Sequence, residues 1–109
     1  MQNHKLVDTN KMFDTVFNEP LDALLLWATG KPPSSGLMLY KCADGRWFLE
    51  AEFGNLFDDV DGISKPHLAP YETPVFFPGE KEAHQYAFVC IREKYPELED
   101  RDLSLFYQH

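Results

Sequence analysis

No apolar run in this sequence approaches the roughly 20 residues that a membrane-spanning helix needs. The opening Met1-Gln2-Asn3-His4-Lys5 leads into no signal-like apolar stretch either. A cytoplasmic protein with no membrane contact is the expectation. Cysteine is scarce: two in 109 residues argue against a disulfide-stapled scaffold. Positive charge is short as well. Ten Lys and Arg stand against 18 Asp and Glu, a formal net charge of −8. Little here would neutralise a row of phosphates, so direct nucleic-acid binding is disfavoured. Apolar residues are plentiful at 44%, with nine Phe, five Tyr and two Trp, and that supply rules out global disorder. The length suits one compact domain, residues 1–109, because a second core would leave each half too small to fold unaided.

In residues 1–17, Leu6, Val7, Met12, Phe13, Val16 and Phe17 recur at spacings that suit a helix after Asp8 or Thr9, with a short strand as the alternative. A helix over 18–29 is predicted next. Asn18 is a good N-cap, Glu19 suits the positive helix end, Pro20 fits the first turn, and Gly30 with Pro32-Pro33 ends the run. Leu21, Leu24, Leu25 and Ala28 share one of its faces, while Leu26 and Trp27 point elsewhere. Such a helix is buried on several sides or presents a patch to a partner.

The strongest local signal is the hairpin over 37–53. Asp44-Gly45 between two β-rich runs predicts a two-residue type I′ loop, in which both central residues take positive φ. This loop pairs Cys42 with Trp47, Tyr40 with Leu49 and Met38 with Ala51. One face then carries Met38, Tyr40, Cys42, Trp47, Leu49, Ala51 and Phe53; the other carries Leu37, Leu39, Lys41, Arg46, Phe48, Glu50 and Glu52. Between residues 54 and 79, four prolines spaced by four (Pro66, Pro70, Pro74, Pro78) predict a long loop, with Val75-Phe76-Phe77 as a short edge strand. A second helix over 80–95 gathers Ala83, His84, Ala87, Phe88, Cys90, Ile91 and Tyr95 on one broad arc, and alternation from Asp102 to Tyr107 reads as a closing strand. The fold class is α+β: a small antiparallel sheet built on the 37–53 hairpin, with two main helices packed on one face.

Chemistry-bearing patterns are sparse. Asp58-Asp59-Val60-Asp61-Gly62 sets two acids on a calcium-loop template, but the anchoring positions fall on Phe57 and Leu68. His4, His67, His84 and His109 show no zinc spacing with one another or with cysteine, so no metal or cofactor is expected. His84 and Cys90 lie about 120° apart around one helix and cannot pair as base and nucleophile. Cys42 and Cys90 are both expected to point inward, where they could touch across the core as reduced thiols. Two prolines spoil Gly30–Gly36 as a phosphate loop. On this reading the folded protein is indifferent to chelators and mild reductant.

Charge placement is the remaining clue. Residues 44–62 hold six acids against one base and residues 93–102 hold five against two, while the rest of the chain is balanced. Clustered carboxylates steer and bind basic surfaces. The expectation is a non-enzymatic interaction module, a small acidic inhibitor docking on a basic, nucleic-acid-binding type of protein surface. Its contact residues would be Glu50, Glu52, Asp58, Asp59, Asp61, Phe48 and Trp27, and the apolar first helix also offers a homodimer contact. Phage-encoded anti-CRISPR proteins and immunity proteins of nuclease toxins share this size and acidity, a likeness of type without a motif. The alternative is a small-ligand or enzymatic domain with a cleft between the sheet and the proline-rich loop, using His67, Tyr71 or His84.

Overall fold

A three-stranded antiparallel sheet, in the order β1-β2-β3, organises the chain. The structure is a computed structural model that describes residues 4–108. The elements are α1 (Thr9–Met12), β1 (Thr15–Pro20), α2 (Asp22–Thr29), β2 (Gly36–Cys42), β3 (Trp47–Phe53) and α3 (Glu80–Lys94). Two 3₁₀ turns follow, Pro96–Leu98 and Leu103–Tyr107. The α+β class and the central hairpin match the expectation. No helix among the described residues is long and apolar enough to cross a membrane.

Both faces of the hairpin are covered. Leu37, Leu39, Trp47, Leu49 and Ala51 pack with Leu21, Leu24, Leu25 and Ala28 of the α2 region and with Ala83, Ala87, Phe88 and Ile91 of α3. Met38, Tyr40, Cys42 and Phe48 form a second cluster on the opposite face, closed by Phe13 and Phe76. Helix α3 forms where predicted, with Glu80 and Glu82 in its first turn, Arg92 and Lys94 in its last, and Pro96 just beyond.

The hairpin register differs from the expectation by one residue. Tyr40 pairs with Phe48, Leu39 with Leu49 and Met38 with Glu50. Gly45 has φ 93°, and among the described non-glycine residues only Asp14 has a positive φ, so Asp44 does not adopt the type I′ conformation. The loop instead contains Ala43, Asp44 and Gly45. Gly45 N–H donates to the Cys42 carbonyl at 3.0 Å, and Cys42 N–H to the Arg46 carbonyl at 2.7 Å. A three-residue loop with its last residue left-handed is the next commonest hairpin connection. The Asp44 carboxylate favours it by accepting from Arg46 N–H at 3.0 Å. A single slip moves a strand's side chains to the other face. Phe48 and Glu50, expected as partner contacts, lie instead on the face of Met38 and Tyr40, which Phe13 and Phe76 cover, and both are buried.

Four further expectations are corrected. The helix predicted from Asn18 begins at Asp22. Thr15 to Pro20 is strand β1, because β-branched and aromatic residues at its start suit pairing with β2. Pro20 lies at the sheet edge, where its missing N–H is tolerated. The helix over 1–17 reduces, among the described residues, to the single turn of α1, and Asp14 at φ 52° then redirects the chain. The closing strand over 102–107 is a 3₁₀ turn, capped by the Asp102 carboxylate accepting from Ser104 N–H at 3.0 Å. The edge strand expected at 75–77 is reduced to a single antiparallel bridge, with Trp47 and Phe77 exchanging hydrogen bonds of 2.9 and 2.8 Å.

Cys42 and Cys90 are free thiols in different clusters on opposite faces of the sheet, so they do not meet. Burial, then the nearby Glu93 charge, pushes the Cys90 thiol pKa up to about 12. The thiolate is the reactive species. Iodoacetamide at pH 8 is therefore expected to leave Cys90 unmodified in the folded protein and to label it after denaturation, as read by peptide mass spectrometry.

Candidate functional site

The acidic residues expected to form one surface divide into an outer set and a buried set. Asp58 is half-buried and its Oδ1 lies 2.7 Å from His67 Nε2. Asp59 is exposed and ion-paired with Lys94 near the end of α3, whose ammonium holds the Asp59 carboxyl below its ordinary range. Asp61 is exposed, and its main-chain carbonyl accepts a hydrogen bond from the Tyr86 hydroxyl. Burial, followed by the charges of Cys90, Asp61 and Glu93, raises the Tyr86 pKa. Val75 lies against the same corner, donating its N–H to the Gly62 carbonyl at 3.0 Å. Glu93 is exposed, as are Val75 and Val89 at 51% and 58%, so charge and apolar surface alternate around Tyr86. The acidic loop and the end of α3, distant in sequence, share one outer corner.

Glu50 is elsewhere. Its side chain is 1% exposed, with Oε1 accepting from the Thr9 hydroxyl at 2.5 Å and the Ser64 hydroxyl at 2.9 Å. Oε2 faces Lys5 Nζ at 2.9 Å. Tyr71 shares a hydrogen bond of 2.8 Å with Ser64, extending the network outward. A buried carboxylate with this many partners is an anchor for the segments that supply them. Glu52, also on β3, is half-buried. Phe48 is fully buried among aromatic rings. Trp27 is half-buried, with the Arg101 guanidinium 4.2 Å over its ring and Phe106 at 5.6 Å. Leu26 is the large exposed apolar side chain of α2 among the described residues.

His67, Tyr71 and His84 are not gathered in one cleft. His67 borders a hollow with Ser34, Ser35 and Gly54, and Tyr71 is half-buried on Ser64. His84 lines a groove of about 640 Å³ between α3 and the second 3₁₀ turn, together with Glu80, Phe88 and Tyr107. There the His84 ring stacks on Tyr107 at 4.4 Å, and its Nε2 lies 3.0 Å from Glu19 Oε1. The Tyr107 hydroxyl donates to Glu19 Oε2 at 2.8 Å. Burial opposes the Glu19 charge, but the hydrogen bonds from His84 and Tyr107 outweigh it and hold its carboxyl below the ordinary range. Burial and then the Glu19 carboxylate raise the Tyr107 pKa.

One carboxylate oxygen each from Glu19 and Glu80 and one nitrogen of His84 lie within 4.8 Å of one another. The cluster mixes one histidine with two carboxylates, so spacing among His and Cys does not reveal it. Glu80 and His84 stand at i,i+4 on α3, a spacing visible in the chain. Glu19 is not legible as their partner, because the local pattern predicts it at a helix start and it lies in β1. No protein-family model, curated protein or solved structure matches the chain.

Proposed function

We propose that this chain is a non-enzymatic interaction module, an acidic inhibitor that docks on a basic protein surface of the kind that otherwise engages nucleic acid. Cytoplasmic anti-defence inhibitors of phage type and toxin-immunity proteins are the sort of protein meant. One observation carries the reading: the Lys94–Asp59 ion pair links the two acidic stretches of the sequence, and the Tyr86 hydroxyl holds Asp61 at the same corner. Exposed Asp61 and Glu93 flank the exposed apolar side chains of Val75 and Val89 there. An apolar centre with a charged rim is the anatomy of a protein interface, and the rim charges set the rate of encounter. In this reading Asp58, Asp59 and Asp61 supply the acidic side of the contact. Glu50 and Phe48 leave it because they are buried, and Trp27 is already covered by Arg101 and Phe106.

The test is the double reversal Asp61→Lys with Glu93→Lys. Asp61 holds Tyr86 through its main chain, so its side chain can change without loss of that bond. Tagged wild type is used to capture protein from nuclease-treated host extract over a salt series. A basic protein retained at low salt and released at high salt is expected, with association about tenfold slower for the double reversal. Glu82→Lys, on the exposed side of α3, is the control and retains wild-type capture. Equal capture by the double reversal, or no basic protein retained, overturns the proposal.

A further inference from the structure

We propose that Glu19, Glu80 and His84 form a binding site for a divalent transition-metal ion, Zn²⁺ being the best match, in the groove between α3 and the second 3₁₀ turn. It uses residues separate from the acidic corner and stands independently of that docking role. The ligands are brought together by strand and helix geometry. Glu19 pairs with Leu39 in the β1–β2 ladder, and Leu39 belongs to the helix-side core, so that position of β1 faces α3. Glu80 and His84, one turn apart, share a face of α3. Burial of Ala83, Ala87 and Phe88 against the sheet aims that face at β1.

An imidazole nitrogen with two carboxylate oxygens is a borderline ligand set that suits Zn²⁺ better than Mg²⁺ or Ca²⁺. Two ligands at about 2.1 Å from a tetrahedral ion lie about 3.4 Å apart. Glu19 Oε1 and His84 Nε2, at 3.0 Å, are already near that spacing. Glu80 is exposed in the first turn of α3, and its flexible side chain supplies the remaining closure. The other elements of a metal site are in place. His84 is fixed by its stack on Tyr107, and the Tyr107 hydroxyl orients Glu19 from its second oxygen. Such outer partners tune metal affinity about 10- to 100-fold. The side chains of His84 and Glu19 are 14% and 24% exposed, which shields them and still admits an ion from the groove.

The charge balance points the same way. Two carboxylates beside one imidazole concentrate negative charge that a divalent cation neutralises. Lys81, exposed in the groove wall, is the cation that the bound ion must tolerate. Three protein ligands leave a fourth position open to the groove, where water or a small oxyanion completes the shell.

Chelator-treated, desalted protein titrated with ZnCl₂ in a calorimeter at pH 7.5 is expected to take up one ion with Kd at or below about 10 µM. Co²⁺ in place of Zn²⁺ is expected to give the intense visible absorption of a low-coordinate nitrogen–oxygen site. Glu80→Gln changes an exposed side chain and leaves the fold intact, so it is the decisive variant: binding weakens at least tenfold. His84→Gln abolishes the Co²⁺ band, and Tyr107→Phe weakens Zn²⁺ about tenfold through loss of the Glu19 orientation. Absence of saturable uptake up to about 1 mM, or a Kd and Co²⁺ spectrum unmoved by Glu80→Gln, overturns the proposal.

Discussion

Phe48→Ala is expected to destabilise the fold by about 3–5 kcal/mol, the range for truncating a fully buried aromatic. Phe48 is 0% exposed. Its ring stacks on Tyr40 at 5.3 Å and meets Phe13 and Phe76 edge-on at 5.2 and 5.7 Å. Removing it opens a cavity walled by three rigid rings. Two of those rings reach the sheet from outside it, Phe13 from the turn after α1 and Phe76 from the proline-rich loop, so the loss also releases both coverings. Urea denaturation followed by circular dichroism measures the change. A shift of about 0.5 kcal/mol or less, the range of surface changes, would contradict the burial of Phe48.

Glu50→Ala carries the second large effect, on the order of 2–3 kcal/mol, because buried hydroxyls lose the carboxylate that accepts from them. The carboxylate ties two distant segments to β3: the N-terminal one, through Lys5 before α1 and Thr9 at its start, and the long loop, through Ser64. Thr9 and Ser64 are both fully buried: the Thr9 hydroxyl would lose its acceptor with no water to replace it, and Ser64 would keep only the Tyr71 hydroxyl. The loop keeps its main-chain bonds, Ser64 N–H to the Leu49 carbonyl at 2.7 Å and Ala51 N–H to the Ser64 carbonyl at 2.9 Å. Detachment should therefore begin at the N-terminal side, and limited proteolysis is expected to cut there first. Glu50→Gln should cost less, because the remaining oxygen still accepts from both hydroxyls. Burial opposes the Lys5 charge, but the adjacent carboxylate outweighs it and raises the Lys5 pKa above 10.5. The pair's contribution is thus complete below that pH and fades as pH rises through the raised value. A Glu50→Ala variant within about 1 kcal/mol of wild type in urea would show that the carboxylate anchors nothing.

Particular residues mark how far the chain could be read unaided. Helix α3 was legible because its apolar positions repeat at the helical period and its ends carry acids, bases and a following proline. The hairpin was legible in place but not in register. Alternation fixes register when one face is wet, and here both faces are covered, so Phe48 and Leu49 are equally apolar and equally buried. The choice passed to the loop, where Asp44 accepting from Arg46 N–H favours three residues over two. Asn18-Glu19-Pro20 satisfied every local rule for a helix start. The ladder to β2 overrode them, and no residue nearby in sequence announces that ladder.

The sequence by itself determined the α+β class, the central hairpin, the last long helix and the concentration of negative charge, because each is written in periodicity or composition over a short stretch. Tertiary structure alone decided the rest. It sent Glu50 inward, where Thr9, Ser64 and Lys5 could satisfy it, while Asp61 and Glu93 remained outside. It also brought Glu19 against His84, 65 residues along the chain. The physical reason is common to both. A carboxylate's role is set by the groups within a few ångströms of it, and in this fold those groups arrive from strands, helices and loops far away in sequence.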